Sequence, residues 1–394
     1  MPTPWKRRRR HWSVVLTAVV LTLGAAAASA FGLTGNASLK PAAAPTTTRG
    51  TPKATGSRVA ADAHPMKFGL DYAGTLLDDS SAQVRASLKD AVDIGAKWIR
   101  VDLPWEVIQP DDATTYRWSK FDTIAQTAHS LGLQVDAILD STAYWDTDHA
   151  CKVGSANTEF CPPSDMSAFA HFAAVAAQRY QNEGVDAWEI WNEPNISARW
   201  YPAPNAAQYA QMLGELTQAI RGVDPHTLIV MGGLAGVPDD AGRGYVSQNT
   251  FLTSLVKLRG SLSGVDVVAY HPFTAPTLAS AAGFFQDIST AQGNLLSILQ
   301  ANGYPNVKIW LTETGDPVGG PTPTAKVLDE QAAYAADLIK TVTANPNVAA
   351  DFWFADQDIA DQRLWWGLRD ENGKERPSYK AVKAGIAACG CSIG

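Results

Sequence analysis

Two glutamates stand where an apolar run stops abruptly. Glu193 closes Trp188-Glu189-Ile190-Trp191-Asn192-Glu193-Pro194-Asn195, and Glu313 closes Lys308-Ile309-Trp310-Leu311-Thr312-Glu313-Thr314-Gly315. A carboxyl group at the end of a buried strand sits at the rim of a sheet, where a ligand can reach it. The tryptophans and the proline around Glu193 make its surroundings partly apolar, which raises a carboxyl pKa and suits a general acid. A second carboxylate facing it would serve as nucleophile or as the base that activates water. Each Glu alone also reads as a helix cap or the partner of a surface cation. Asn-Glu-Pro, however, caps no obvious helix start, and the two motifs together weaken that reading further.

The elements that must position these residues recur along the chain. From residue 66 onward, short apolar runs alternate with longer helical stretches. The strand candidates are Lys67–Asp71, Lys97–Asp102, Leu133–Leu139, Ala187–Trp191, Thr227–Met231, Val265–Tyr270, Val307–Thr312 and Ala349–Phe354. Helical spacing of apolar residues marks Asp165–Tyr180 and Ala206–Ile220 among the connections. Alternating β and α units imply a parallel sheet with right-handed crossovers. An open doubly wound sheet would need about six strands and often a glycine-rich turn after the first. Here Tyr72-Ala73-Gly74-Thr75 follows it, so a closed (β/α)8 TIM barrel is expected. Runs four and seven then bring Glu193 and Glu313 to one mouth. Cleavage of a glycosidic bond uses such a pair, and the distance between the carboxyls decides between retention and inversion.

Trp-Asn-Glu-Pro after strand four, with Thr-Glu-Thr-Gly after strand seven, resembles clan A of the glycoside hydrolases over about residues 66–385. Within the clan the chain looks most like family 39, with the cellulase-like family 5 as the near alternative. The resemblance implies retention, with Glu193 as acid/base and Glu313 as nucleophile. It also implies that Arg100 hydrogen-bonds the nucleophile and that Asn192 binds the sugar 2-hydroxyl. His271 matches the clan's strand-six histidine, and Trp353 its sugar platform. The clan usually has a tyrosine two residues after that histidine. This chain has Phe273 there, so Tyr270 is expected to substitute if the strand end is shifted, because neighbouring strand positions face opposite ways.

Aromatic rings stack on the C–H faces of sugars. Trp105, Tyr144, Trp145, Trp200, Tyr201, Trp365 and Trp366 fall in strand-end loops. Together they point to a long groove, with Trp145 and Trp200 as substrate contacts, although each alone is as well explained by packing. Asp71, Asp102, Asp140, Asp316, Asp356 and Asp358 near the same loops read as solvated acids or as ligands of sugar hydroxyls. Phosphate-binding glycine motifs, a serine nucleophile elbow and His-x-x-x-His spacing are absent, so neither metal nor cofactor is expected.

Lys6 and Arg7–Arg10, the apolar stretch Ser13–Leu23 and Ala28-Ser29-Ala30 have the layout of a secretory signal over residues 1–30, cleaved or kept as an anchor. An Ala/Pro/Thr-rich linker follows over 31–63, and the catalytic domain over 64–394. Residues 1–63 hold nine of the 32 basic and one of the 39 acidic residues, leaving 23 against 38, a net of −15. Such a domain repels nucleic acid. The expected partner is a polysaccharide or oligosaccharide outside the cell, met by a monomer without an obligate protein partner. In that compartment Cys151–Cys161 is the expected disulfide. Cys389 with Cys391 would close a tight ring, and a zinc site has no histidine cluster to serve it. Two further readings stay open: a carbohydrate-binding barrel without catalysis, and a transglycosylase using the same residues.

Overall fold

A computed structural model describes residues 66–148, 151, 158–273 and 294–391. The signal and linker expected over 1–63 lie outside them. Eight parallel strands close into a barrel in sequence order. They are β1 (Lys67–Asp71), β2 (Trp98–Pro104), β3 (Gln134–Asp140), β4 (Val185–Ile190), β5 (Leu228–Ala235), β6 (Val267–His271), β7 (Lys308–Thr314) and β8 (Val348–Phe354). Around it run α1 (Ser81–Ile94), α2 (Ser119–Ser130), α3 (Met166–Tyr180), α4 (Ala206–Val223), α5 (Gln248–Val256), α6 (Leu295–Ala301), α7 (Ala325–Thr343) and α8 (Pro377–Cys389).

Local chemistry starts the helices where the sequence breaks. Ser80 and Gln83 form a capping box on α1, and Gly95 closes it in a left-handed conformation. Asp165 caps α3 through the Ser167 amide, and Asn205 caps α4 through Ala207 and Gln208.

Alternation along the strands divides the core in two. Trp98, Ala187, Val230, Val267, Ala269, Trp310, Ala350 and Phe352 fill the barrel interior. The opposite faces pack against the helices in one continuous outer layer. Trp98 and Trp310 meet edge to face at 5.3 Å across the interior. Gly69 is required beside them, since a Cβ there would lie 2.4 Å from the Phe352 ring. Both cysteine pairs are bonded, Cys151–Cys161 and Cys389–Cys391.

Most strand bounds differ from expectation by one or two residues, and the largest difference is informative. β5 does not stop at Met231 but runs through Gly232 and Gly233 to Ala235. Glycine reads as a strand end in sequence, yet here it lets neighbouring strands approach closely. β4 stops one residue early, because Trp191 turns left-handed at φ 68°. Trp310 anchors the interior, and Trp310→Ala is expected to cost about 3–5 kcal/mol of unfolding free energy. Chemical denaturation monitored by circular dichroism checks this.

Candidate active site

The C-terminal strand ends converge on Arg100, on β2 and buried. Its five N–H donors are all used. Nε and Nη2 clasp Glu189 on β4 at 2.8 and 3.0 Å. Nη1 donates to Asp71 on β1 at 2.9 Å and to Glu313 on β7 at 3.0 Å. The last donor, on Nη2, reaches the Asn192 side-chain oxygen at 3.0 Å. Burial opposes the guanidinium charge, but Glu189, Asp71 and Glu313 outweigh it and hold the group well above its ordinary pKa.

Glu193 and Glu313 meet opposite this hub. Glu193 leaves β4 with φ 49°, and its amide donates to the Gly233 carbonyl at 2.9 Å, which turns its carboxyl over the mouth. Glu313 lies within an irregularity in the β7–β8 register between Leu311 and Thr314. His271, at the end of β6, stands between the two. Its Nδ1 is 3.1 Å from Glu193 Oε1 and 3.5 Å from Glu313 Oε1. Its Nε2 faces the Thr312 hydroxyl at 2.9 Å. One oxygen of each glutamate and one ring nitrogen of His271 lie within 4.8 Å of one another. Gly233 makes room for this ring, because a Cβ there would sit 2.0 Å from His271 Nε2.

The electrostatics of Glu193 depart from expectation. Burial pushes its carboxyl up, but the hydrogen bond and charge of His271, with Arg199 and Arg100, more than offset this and leave it below the ordinary value. The apolar flank of tryptophans is therefore not the deciding influence. Burial lowers His271, yet Glu313 and Glu193 raise it above its usual 6.5. In the resting site the shared proton thus belongs on the imidazole.

Other acids carry protons too. Burial, then the adjacent Glu189, drives Asp136 on β3 well above the carboxylate range, so it is protonated and donates to Glu189 beneath Arg100. Burial lifts Asp71 to about 8 against the pull of Arg100. Burial, with Asp140 alongside, lifts Asp102 to about 8. Asp140 rises to about 7, again chiefly by burial. These aspartates are not the solvated acids that their loop positions imply: Asp71 is fully buried, and Asp140, Asp316, Asp356 and Asp358 are buried as well.

Of the expected residues, Arg100, Asn192, Glu193, His271 and Glu313 come together. Tyr270 does not join them. It shares the outer face of β6 with Val268, while Val267 and Ala269 point inward, so it cannot replace the missing tyrosine. Phe273 lies 6.0 Å from the His271 ring and 5.4 Å from Trp366, filling that side without a hydroxyl. Trp353 is also displaced: it packs on Tyr334 of α7 in the outer layer, fully buried. Strand alternation instead puts Phe354, next to it, on the inner face with Phe352. Trp200 is core as well, 5.4 Å from Trp191 and 5.7 Å from Tyr209. Trp105 and Trp366 are buried too. Trp145 remains half-exposed, its indole donating to the Gln109 carbonyl at 2.8 Å. Glu189, Asp136 and Arg199 were not singled out in the sequence. Charged residues inside apolar strands are the signal that marks the first two.

Glu193, His271 and Glu313 are the only described group gathered closely enough to ligate one metal ion. The Arg100 guanidinium on Glu313 would set its positive charge against such an ion.

The family model for cellulase (glycosyl hydrolase family 5) matches residues 61–345, ending just before β8. No curated protein matches the sequence. Among solved structures, the chain is similar to a family 39 glycoside hydrolase from the gut symbiont Bacteroides cellulosilyticus WH2. The TM-score is 0.58 at 18% identity, covering 82% of this chain and 64% of that one. It is similar to a monomeric β-xylosidase from Caulobacter crescentus, with TM-score 0.60 and 19% identity over 81% and 67% of the two chains. The GH5_18 protein from Streptomyces cattleya, solved with GlcNAc, gives 0.59 and 18% over 83% and 81%. At these identities the likeness is one of fold.

The buried aspartates make stability pH-dependent. Asp102 and Asp140 keep their protons in the fold at pH values where the unfolded chain has lost them. Stability therefore falls as pH rises from the ordinary carboxylate range near 3.8 through about 7 to 8. Asp102→Asn with Asp140→Asn is expected to raise Tm by about 2–4 °C near pH 8 and by less near pH 5. Calorimetric scans of both proteins across that range check the slope.

Proposed function

The chain belongs to the cellulase family, glycosyl hydrolase family 5, and on that premise we propose that it is a retaining O-glycoside hydrolase acting by double displacement. The approach of the Glu193 and Glu313 carboxyl oxygens to within 4.8 Å across one barrel mouth carries this reading. Retention requires carboxyls about 5–5.5 Å apart, whereas inversion leaves room for a water between them at about 6.5–9.5 Å.

In this mechanism Glu313 attacks the anomeric carbon while Glu193 protonates the leaving oxygen. Arg100 presents positive charge to Glu313 and orients it, and Asn192 is held by the same guanidinium. The resting proton lies on His271, 3.1 Å from Glu193 Oε1. Its passage along that hydrogen bond arms the acid when substrate covers the pair. After the first step Glu193 takes a proton from the incoming water, which releases the sugar from Glu313. The export layout of residues 1–30 and the two disulfides support an extracellular or cell-wall polysaccharide as substrate.

Two measurements test the assignment. Glu193→Ala is expected to lower kcat on aryl glycosides by roughly 10²–10⁴-fold, and Glu313→Ala by at least as much, with circular dichroism unchanged. A 2-fluoro sugar should leave a covalent adduct on the Glu313 peptide by mass spectrometry; an adduct elsewhere, or near-normal turnover by either variant, refutes the roles. The pH profile is a separate check. Because Glu193 and Glu313 raise His271, the alkaline limb of kcat/KM should belong to the His271–Glu193 pair and fall above the ordinary histidine value of 6.5.

A further inference from the structure

One arginine at the mouth stands outside the Arg100 cluster. Arg199, in the loop after β4, is 5% exposed, and its Nε lies 3.8 Å from Glu193 Oε2. That is beyond hydrogen-bond length, and this buried Nε has no other hydrogen-bond partner. A buried N–H without an acceptor is costly, so its retention beside a catalytic carboxyl calls for a state in which the bond is made. The rest of the residue is held firmly. Its amide donates to the Ile196 carbonyl at 3.0 Å, and its own carbonyl accepts from the Trp191 indole at 2.8 Å. Its guanidinium stacks on the Phe160 ring, 4.7 Å from the centroid. Phe160 precedes Cys161, which is bonded to Cys151, and the Phe160 carbonyl accepts from the Tyr201 amide at 2.9 Å. A ring on a disulfide-clipped loop thus fixes the face of the guanidinium, while its Nε edge is turned toward Glu193.

We propose that Arg199 is a positioning residue for the acid/base: its Nε–H and its charge receive the Glu193 carboxylate once the first displacement has taken the proton from the His271–Glu193 pair, and so favour the base form of Glu193 in the second. This assignment rests on the hydrolase reading above. In the resting site Glu193 is balanced by the protonated imidazole 3.1 Å away. When that proton has left with the leaving group, His271 is neutral and Glu313 is esterified. Glu193 is then an anion beside a neutral ring, and Arg199 and Arg100 are the cations that act on it. Arg100 stays clasped by Glu189, whereas Arg199 Nε is unclaimed. A shift of about 1 Å completes its bond to Glu193. In the second step the water oxygen bonds to the anomeric carbon, its proton passes to Glu193, and the bond to Glu313 breaks to return a carboxylate. Two other acids feel Arg199, Asp102 on β2 and Asp140 on β3. Burial keeps them protonated up to about 8 and about 7, so below that range Glu193 is the ionised partner. Removing the Arg199 charge therefore strands no second carboxylate.

Two readouts on the full chain test this. In the first, protein isotopically labelled at its histidine nitrogens is titrated by NMR, with the His271 signal assigned by its loss in His271→Asn. Arg199→Met removes a positive charge beside the pair, so the last proton is held more tightly. The His271 midpoint is expected to rise by about 1 pH unit. Arg199→Lys, which keeps the charge, should recover at least about half of that rise. Arg199→Gln repeats the measurement if the methionine variant does not fold. In the second, 2,4-dinitrophenyl β-cellobioside and β-xyloside serve as substrates, because their leaving group needs no proton and the second step limits turnover. Arg199→Met is expected to lower kcat about tenfold and KM in parallel, leaving kcat/KM within about threefold. A His271 midpoint unmoved by the loss of charge overturns the proposal, as does an equal fall in kcat and kcat/KM, which would mark a packing role. Either result with normal turnover by the unsubstituted chain sinks this inference alone, whereas no turnover of either glycoside and no Glu313 adduct sinks the hydrolase reading.

Discussion

One guanidinium organises the mouth of this barrel. Arg100 has five donors and five acceptors, drawn from β1, β4, β7 and the turn after β4. Burying a charge of either sign alone is costly, and burying one arginine among several carboxylates is tolerable only when geometry and hydrogen bonds are complete. The barrel meets that condition twice over. The planar fork satisfies two oxygens of Glu189 at once, and surplus negative charge is removed by protonation, most clearly at Asp136. A lysine could supply the charge but not the five fixed directions.

The Arg100 cluster explains why other features of the upper barrel are arranged as they are. Glu193 and Glu313 must project over the mouth rather than into the sheet. The left-handed backbone at Trp191 and Glu193 turns the first of them, and a register irregularity accompanies the second. His271 needs space that only Gly233 leaves. With those adjustments an imidazole sits between two carboxylates, and their charge rather than hydrophobic surroundings sets who carries the proton. Asn195 braces the same turn, donating to the Ala235 and Val246 carbonyls and accepting from the Ala235 amide.

The aromatic residues divide by a simple geometric rule. Large rings at strand ends reach either the mouth or the helix layer according to the parity of their position. Trp353 and Tyr270 have outward parity and serve packing. Phe354 and Phe273 are nearer the site but lack polar atoms. The loop tryptophan Trp200 is drawn into the core by Trp191 and Tyr209. The expected row of sugar-stacking tryptophans is therefore mostly structural, and an open groove beside the mouth is lined by acids instead.

The order of elements, the closed barrel and the two glutamates with Arg100, Asn192 and His271 were legible in the amino-acid sequence. Apolar runs of strand length and the abrupt polar residues after them are local patterns, and local patterns survive in one dimension. Strand parity was legible in principle too; it already argued against Tyr270, and applied to β8 it would have chosen Phe354 over Trp353. What only the tertiary structure decided was charge and reach. Asp136 and Glu189 lie far apart in the chain, as do Arg100 and Glu313, so neither the proton shared by the first pair nor the bond in the second can be read from spacing. Protonation depends on burial and on the sum of neighbouring charges, and both exist only after the barrel has closed.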